Sequence, residues 1–393
     1  MDYIQTGKDN FMHTYAQLDV CFDKGRGCWL YDTNGKRYLD LVGGIAVNAL
    51  GYGNEKLIAT AEKVMKEGIF HVSNLYYNKY TVMAAERLNR AAGSDRVFFA
   101  NSGAEANEAA LKLARKYGYP TGRTKVLSFE HSFHGRTYGA ITLTGQEKYH
   151  KGFAPMVPDI EYATYNDLES VKAKVDDSYI AIIVEPVQGE GGIIPADSAF
   201  LQGLRQLCDE KDMLLIYDCV QCGMGRTGKL FAWQYYGVRP DLMSLAKALG
   251  GGLPLSALCG YGKASDIFTP GDHASTFGGN PVASALAVTV LDELEGGLAD
   301  SVLAKGEHLR AKLEALKVKY PQVCTDVRGL GLMMGLEVTL PPASIIAKCR
   351  EKGVILCSAG YDVVRFVPPL VITEEEIDIA VSVLDEAIAE SLN

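Results

Sequence analysis

A lysine that closes an apolar strand and is followed by three glycines is an unusual place for a hydrated ammonium. Lys247 holds that position in Leu242-Met-Ser-Leu-Ala-Lys247-Ala-Leu-Gly-Gly-Gly-Leu-Pro254. Desolvation there would lower its pKa and free the amine as a nucleophile or Schiff-base former. A lysine snorkelling to the surface is the plainer alternative. Asp218 ends a second apolar strand, 213–217, and ligands gather at the carboxyl ends of parallel strands. A carboxylate in such a pocket needs a charged or hydrogen-bonded partner. A protonated ring nitrogen would be one, as an electron-sink cofactor requires; a helix cap after the strand explains the residue equally well. The third constellation, Asn101-Ser-Gly-Ala-Glu-Ala106, follows the strand 97–100 and opens a helix. Small residues at Ser102, Gly103 and Ala104 would let backbone N–H groups and the helix dipole meet an anion. Ser102 as a simple helix cap is the competing reading.

Two further patterns carry less. Cys219 and Cys222 form a C-x-x-C, but no second cysteine pair or H-x-H cluster stands near, so no metal is expected. Gly223-Met-Gly225-Arg-Thr-Gly228 fits the dinucleotide pattern G-x-G-x-x-G, and a nicotinamide-dependent oxidoreductase is the rival reading from another class. Against it, Asp218-Cys-Val-Gln-Cys separates strand from glycines, and no helix opens at once after Gly228.

The elements that must position these residues follow from periodicity. Continuous apolar runs at 97–100, 126–129, 180–184, 214–217, 242–245 and 257–261, with helices at 104–117 and 199–210 between them, predict an α/β layered domain with a mostly parallel sheet. From a long helix beginning near Pro281 the pattern changes. A helix over 302–318, strands over 332–337 and 363–367, a helix over 343–352 and a last helix from 373 read as a separate α+β unit. Trp29-Leu-Tyr-Asp32 and Arg37-Tyr-Leu-Asp40 read as a hairpin around Asn34-Gly35. The expected organisation is an N-terminal segment 1–50 packing with the small domain, a large domain 51–290, and a small domain 291–393.

A helix-top anion site, a strand-end carboxylate and an apolar lysine are together the contacts that pyridoxal phosphate needs. Here the chain resembles the class III aminotransferases of the fold type I pyridoxal-phosphate enzymes, over essentially its whole length. The resemblance is carried by Gly44-Ile-Ala-Val-Asn48, Asn101-Ser-Gly-Ala-Glu-Ala-Asn-Glu108, Ser132-Phe-His-Gly-Arg-Thr137, Glu185-Pro-Val-Gln-Gly-Glu190, Gly225-Arg-Thr-Gly228, Ser275-Thr-Phe-Gly-Gly-Asn280 and Arg365-Phe-Val-Pro-Pro-Leu370. It implies a large domain with a seven-stranded sheet. It also implies phosphate binding by Ser102, Gly103 and Ala104, Phe133 stacked on the cofactor ring, Asp218 on the ring nitrogen and Gln221 on the phenolic oxygen. Lys247 would be the Schiff-base lysine and proton shuttle. Thr276 would reach the phosphate from the other subunit of a homodimer, with Ser275 beside it at the substrate channel.

The resemblance further assigns the substrate. Arg136 and Arg365 would be carboxylate clamps, with Glu190 the acidic group that masks Arg365 while the amino donor is bound. Tyr15 and Ile45 would line the donor side, and the Gly43-Gly-Ile-Ala-Val-Asn48 form implies N-acetylornithine as donor and 2-oxoglutarate as acceptor. Succinylornithine, succinyl-diaminopimelate, ornithine and 4-aminobutyrate are the alternative donors. Two departures stand out: Cys219 and Cys222 replace the usual glutamate and threonine around Val220-Gln221, and Gly51-Tyr-Gly-Asn-Glu55 replaces the usual Gly-His-x-His-Pro.

Bulk properties exclude other classes. The chain has 393 residues, a net charge of −9 and nine cysteines, an odd and scattered set unlike a secreted disulfide framework. An acidic chain is a poor partner for nucleic acid or an anionic membrane surface. No apolar run spans a membrane and the first residues lack signal-peptide character, so a cytoplasmic location is expected.

Overall fold

The computed structural model describes residues 1–392. Its large sheet has seven strands: β1 (Arg96–Ala100), β2 (Lys125–Phe129), β3 (Ile160–Ala163), β4 (Tyr179–Val184), β5 (Leu214–Asp218), β6 (Leu242–Leu245) and β7 (Ser256–Gly260), in the order β1-β7-β6-β5-β4-β2-β3. Neighbours run parallel except at β7, which is antiparallel to both β6 and β1. The mostly parallel sheet expected from the apolar runs is therefore present. β4 and β5 are buried at every position, as strands covered on both faces must be.

Alternation along β5 shows what covers each face. Leu214 and Ile216 pack with Ala109, Ala110, Leu113 and Ala114 of α1 (Gly103–Gly118). Leu215 and Tyr217 join a second cluster with Leu201, Leu204 and Cys208 of α2 (Ser198–Glu210). The alanines let α1 lie close to the sheet, so its N-terminus opens at the strands' carboxyl edge.

Past the large sheet, α3 (Pro281–Glu293) bends through Gly297, whose φ of 112° suits glycine, into α4 (Ala299–Lys319). A second, antiparallel sheet follows, built from β8 (Cys324–Leu330), β9 (Met333–Val338), β10 (Cys357–Ala359) and β11 (Val363–Phe366) in the order β8-β9-β11-β10. α5 (Pro342–Glu351) and α6 (Glu374–Ala389) complete this region. The expected hairpin of Trp29–Asp32 and Arg37–Asp40 is present, and Val354–Ile355 pairs in parallel with Leu39 and Asp40 on its edge. N-terminal and C-terminal segments thus share one sheet.

The structure accounts for the Gly51-Tyr-Gly-Asn-Glu55 departure. The Tyr52 hydroxyl donates to Asp40 Oδ2 at 2.6 Å and accepts from Asn48 at 3.2 Å. Asn54 caps the helix Glu55–Lys66, accepting from the Lys56 and Leu57 amides. Among the described residues, no helix is long and apolar enough to cross a membrane.

Candidate active site

A cavity of about 400 Å³ opens at the carboxyl edge of β1, β5 and β6, between the top of α1 and the loops that follow those strands. Ser102 caps α1: its hydroxyl accepts from the Glu105 amide, and the Glu105 carboxylate reaches back to the Ser102 amide at 3.0 Å. The capping reading and the anion reading are therefore compatible. The box occupies other donors and leaves the Gly103 and Ala104 amides without partners among the described residues, and both residues line the cavity. Position 103 must be glycine for room: a Cβ there would lie 2.7 Å from Val220 Cγ1. Gly103→Ala is expected to destabilise the protein by about 1–3 kcal/mol through overpacking, read as a lower urea midpoint at unchanged slope.

Asp218, 3% exposed, forms the cavity floor at the end of β5. Its Oδ2 accepts from Asn107 Nδ2 and faces His134 Nδ1, each at 2.7 Å, and its Oδ1 accepts from the Val220 amide at 2.9 Å. A carboxylate only accepts, so His134 Nδ1 carries the proton and Nε2 is left buried without a partner. Glu185 lies in the same cluster, with Oε2 also unpartnered. Burial, and then the Asp218 charge, push the Glu185 carboxyl well above the usual range.

Lys247 follows β6 and lines the cavity in a left-handed backbone conformation, φ 50°, that non-glycine residues seldom adopt. Burial brings its amine down to about 8, although Glu190 pulls it the other way. A minor fraction of neutral amine, about a tenth at neutrality, is thus present.

Arg365 and Glu190 form a buried cluster beside this cavity. Arg365 is 2% exposed; its Nη1 donates to Glu190 Oε1 and, at 3.2 Å, to Gln221 Oε1, and its Nε donates to Cys357 Sγ at 3.3 Å. Gln221 Nε2 also reaches Glu190, at 3.4 Å. Burial pushes the Glu190 carboxyl up, but the Arg365 charge and hydrogen bond more than offset it and hold it below the usual range. Arg136 differs. Its guanidinium lies 4.1 Å from the Tyr149 ring centroid and 5.5 Å from that of Phe133, and it forms no ion pair among the described residues. With Tyr15 it lines a neighbouring cavity of about 500 Å³.

The remaining expected residues are divided between the main cavity and its margins. Phe133 and Gln221 line the main cavity; Ile45 is 39% exposed and sits two residues before the cavity-lining Val47. Ser275 and Thr276 do not line it within one chain: they border an adjacent depression with Asn101, whose side chain donates to Ser275 Oγ at 3.1 Å. Asn107, His134, Glu185, Tyr149 and Cys357 received no role from the sequence, although the quoted motifs contain the first three.

The dinucleotide reading of Gly223–Gly228 fails on space. A Cβ on Gly225 would meet Leu294 at 2.8 Å, and one on Gly228 would meet Leu303 at 2.3 Å. These glycines admit leucines from the α3–α4 region, where a pyrophosphate would have to lie. Cys219 and Cys222 are free and buried, 0% and 1% exposed, and burial pushes the Cys219 thiol far up. A thiol suits this apolar position, whereas the usual glutamate would need a buried partner.

The sequence model of the family "Aminotransferase class-III" matches residues 11–388. The acetylornithine aminotransferase of Caldanaerobacter subterraneus subsp. tengcongensis is 47% identical over 388 residues, covering 98% of each chain. That of Methanocaldococcus jannaschii is 42% identical over 393 residues, 99% of this chain and 98% of its own. Among solved structures, the ornithine aminotransferase of Toxoplasma gondii, with partial occupancy of PLP at its active site, matches with a TM-score of 0.93 at 33% identity, covering 99% of this chain and 93% of its own. N-acetylornithine aminotransferase from Stenotrophomonas maltophilia matches with a TM-score of 0.85 at 34% identity over 99% of each chain. The chain belongs to the class III aminotransferases.

Proposed function

We propose that this pyridoxal-phosphate-dependent aminotransferase moves the δ-amino group of N-acetylornithine to 2-oxoglutarate, reversibly, giving N-acetylglutamate 5-semialdehyde and glutamate. The observation that carries the reading is the unequal state of two arginines. Arg365 is neutralised by Glu190, while Arg136 has no carboxylate partner among the described residues. A donor with one free carboxylate needs one clamp; a dicarboxylate acceptor needs two.

The lining residues fit the cofactor. Two unpartnered amides suit a phosphate, an anchored carboxylate suits a ring N–H, and the Phe133 ring and the Lys247 amine face the same cavity. When bound, pyridoxal phosphate supplies the electron sink and carries the amino group between half-reactions. The chain's own residues do the rest. Arg136 holds the donor's α-carboxylate and leaves the far amine to reach Lys247. The Lys247 Nζ takes a proton from the donor's amine-bearing carbon and returns it on the other side of the reacting system. For the acceptor, Glu190 withdraws, Arg365 takes the α-carboxylate and Arg136 the γ-carboxylate, as the guanidinium fork favours.

The relatives named acetylornithine aminotransferases support this donor; a place in arginine biosynthesis and a cytoplasmic location belong to the same reading. A homodimer with shared active sites is part of the same reading. It is supported by Thr276 lying outside its own chain's cavity and by exposed apolar side chains such as Leu75 and Tyr77, 88% and 96% exposed, that call for a cover.

The decisive measurement is kcat/KM for N-acetylornithine, succinylornithine, succinyl-diaminopimelate, ornithine and 4-aminobutyrate with 2-oxoglutarate. N-acetylornithine should rank first; a higher value for ornithine or 4-aminobutyrate would overturn the assignment. In Glu190→Gln, Arg365 loses its charged mask. The kcat/KM ratio for glutamate over N-acetylornithine should then rise by about tenfold, the worth of one charge-assisted hydrogen bond, in half-reactions followed by cofactor absorption.

A further inference from the structure

The third contact of Arg365 takes no part in the Glu190 switch. Cys357 on β10 lies directly across the antiparallel ladder from Arg365 on β11. Its sulfur receives the guanidinium Nε at 3.3 Å, on the edge away from the Nη1 that Glu190 and Gln221 share. Glu190 and Gln221 sit in turns after strands of the large domain; Cys357 is fixed by the same small sheet that carries Arg365.

We propose that Cys357 is the positioning residue for Arg365, its sulfur holding the Nε edge while Glu190 leaves so that the Nη edge stays aimed at the α-carboxylate of 2-oxoglutarate. The inference rests on the reading of Arg365 given above. A weak, neutral acceptor is what this place calls for. A hydrocarbon would leave a buried guanidinium N–H unpaired. An anion would be a second, permanent counter-ion and would compete with the substrate. Burial pushes the Cys357 thiol up, and the Arg365 charge only partly draws it back, so the sulfur is uncharged near neutrality.

The test uses the holoenzyme and three substitutions. Cys357→Ser keeps an acceptor and should hold KM for 2-oxoglutarate within about twofold of the parent. Cys357→Val, of similar size, should raise it about tenfold, and Cys357→Asp about a hundredfold, by withholding the Nε acceptor or supplying a built-in counter-ion. The rate of the N-acetylornithine half-reaction should stay unchanged in all three. Binding of glutarate, a dicarboxylate that cannot be aminated, should weaken in the same order by calorimetry, without reliance on turnover.

Parallel loss in the N-acetylornithine half-reaction would mean a structural role and overturn the proposal. So would unchanged KM and glutarate affinity in the valine and aspartate variants while Arg365→Ala weakens both. If Arg365→Ala also changes neither, the assignment of Arg365 falls, and this inference falls with it.

Discussion

Lys247→Ala is expected to lower transamination by about 10⁴-fold or more, because in the proposed reaction one amine both holds the cofactor and moves the proton. No other lining residue can attach the cofactor in its place, since Lys247 carries the one amine among the side chains of the cavity. Borohydride reduction followed by peptide mass analysis should find the cofactor on the Lys247 peptide of the parent and on no peptide of the variant. Single-turnover absorbance with N-acetylornithine gives the rate. A variant retaining more than about 1% of the parental rate would remove Lys247 from the chemistry, since general acid–base catalysis alone contributes more than that. A pH dependence belongs to the same argument. The amine, lowered to about 8 by burial, is an unreactive ammonium below that value and a nucleophile above it. Capture of pyridoxal phosphate by the cofactor-free chain should therefore accelerate as pH rises through about 8 and level off beyond.

That Lys247 could be singled out from sequence reflects how local its anomaly is. An apolar strand, a cation and glycines are adjacent in the chain, and the signals of Asp218 at the end of β5 and of Ser102-Gly-Ala after β1 are equally local. The strands themselves were legible where both faces are covered, because burial on two sides demands an unbroken apolar run. Where that demand lapses, legibility lapses. β3 lies at the sheet edge with half-buried Ile160, Glu161 and Tyr162. β8 mixes buried and exposed positions, and β10 has only three residues. The supports of the site were hidden for a different reason. Asn107 and His134 stand 111 and 84 residues from Asp218, and Arg365 stands 175 from Glu190. Only the strand order that places β5 beside β4 and the entry of α1 over that edge bring them together. Family resemblance supplied the arginines and Glu190, but not Cys357, whose part is visible only once β10 and β11 are paired.

Asp218→Asn should be the second most damaging change, and for electrostatic reasons that size alone conceals. The substitution preserves shape, yet every hydrogen bond that the Asp218 side chain makes to the protein is one it accepts. An asparagine can turn its oxygen towards Asn107 and His134, but its amide then faces the Val220 N–H, donor against donor. Turned the other way, the amide faces two donors. Either orientation leaves buried groups mismatched and should cost about 1–3 kcal/mol of stability. The larger loss is the anion itself. A preorganised charge on the cavity floor, sheltered from water, would hold a protonated ring nitrogen of the bound cofactor in the proposed reaction, and removing such a group typically costs about 10²–10³ in rate. Because Lys247 is untouched, the Asp218→Asn protein should still fix the cofactor under borohydride, remain coloured, and turn over N-acetylornithine about 10³-fold more slowly. This combination separates the two roles, since Lys247→Ala loses the covalent attachment and Asp218→Asn keeps it. Were Asp218→Asn to retain both colour and rate, the carboxylate would be only a cap for the Val220 turn, and the three donors gathered on it would be structural. The geometry argues otherwise: a turn cap needs the one bond from Val220, whereas Asn107 and His134 are brought in from α1 and the loop after β2 to hold the same carboxylate facing the cavity.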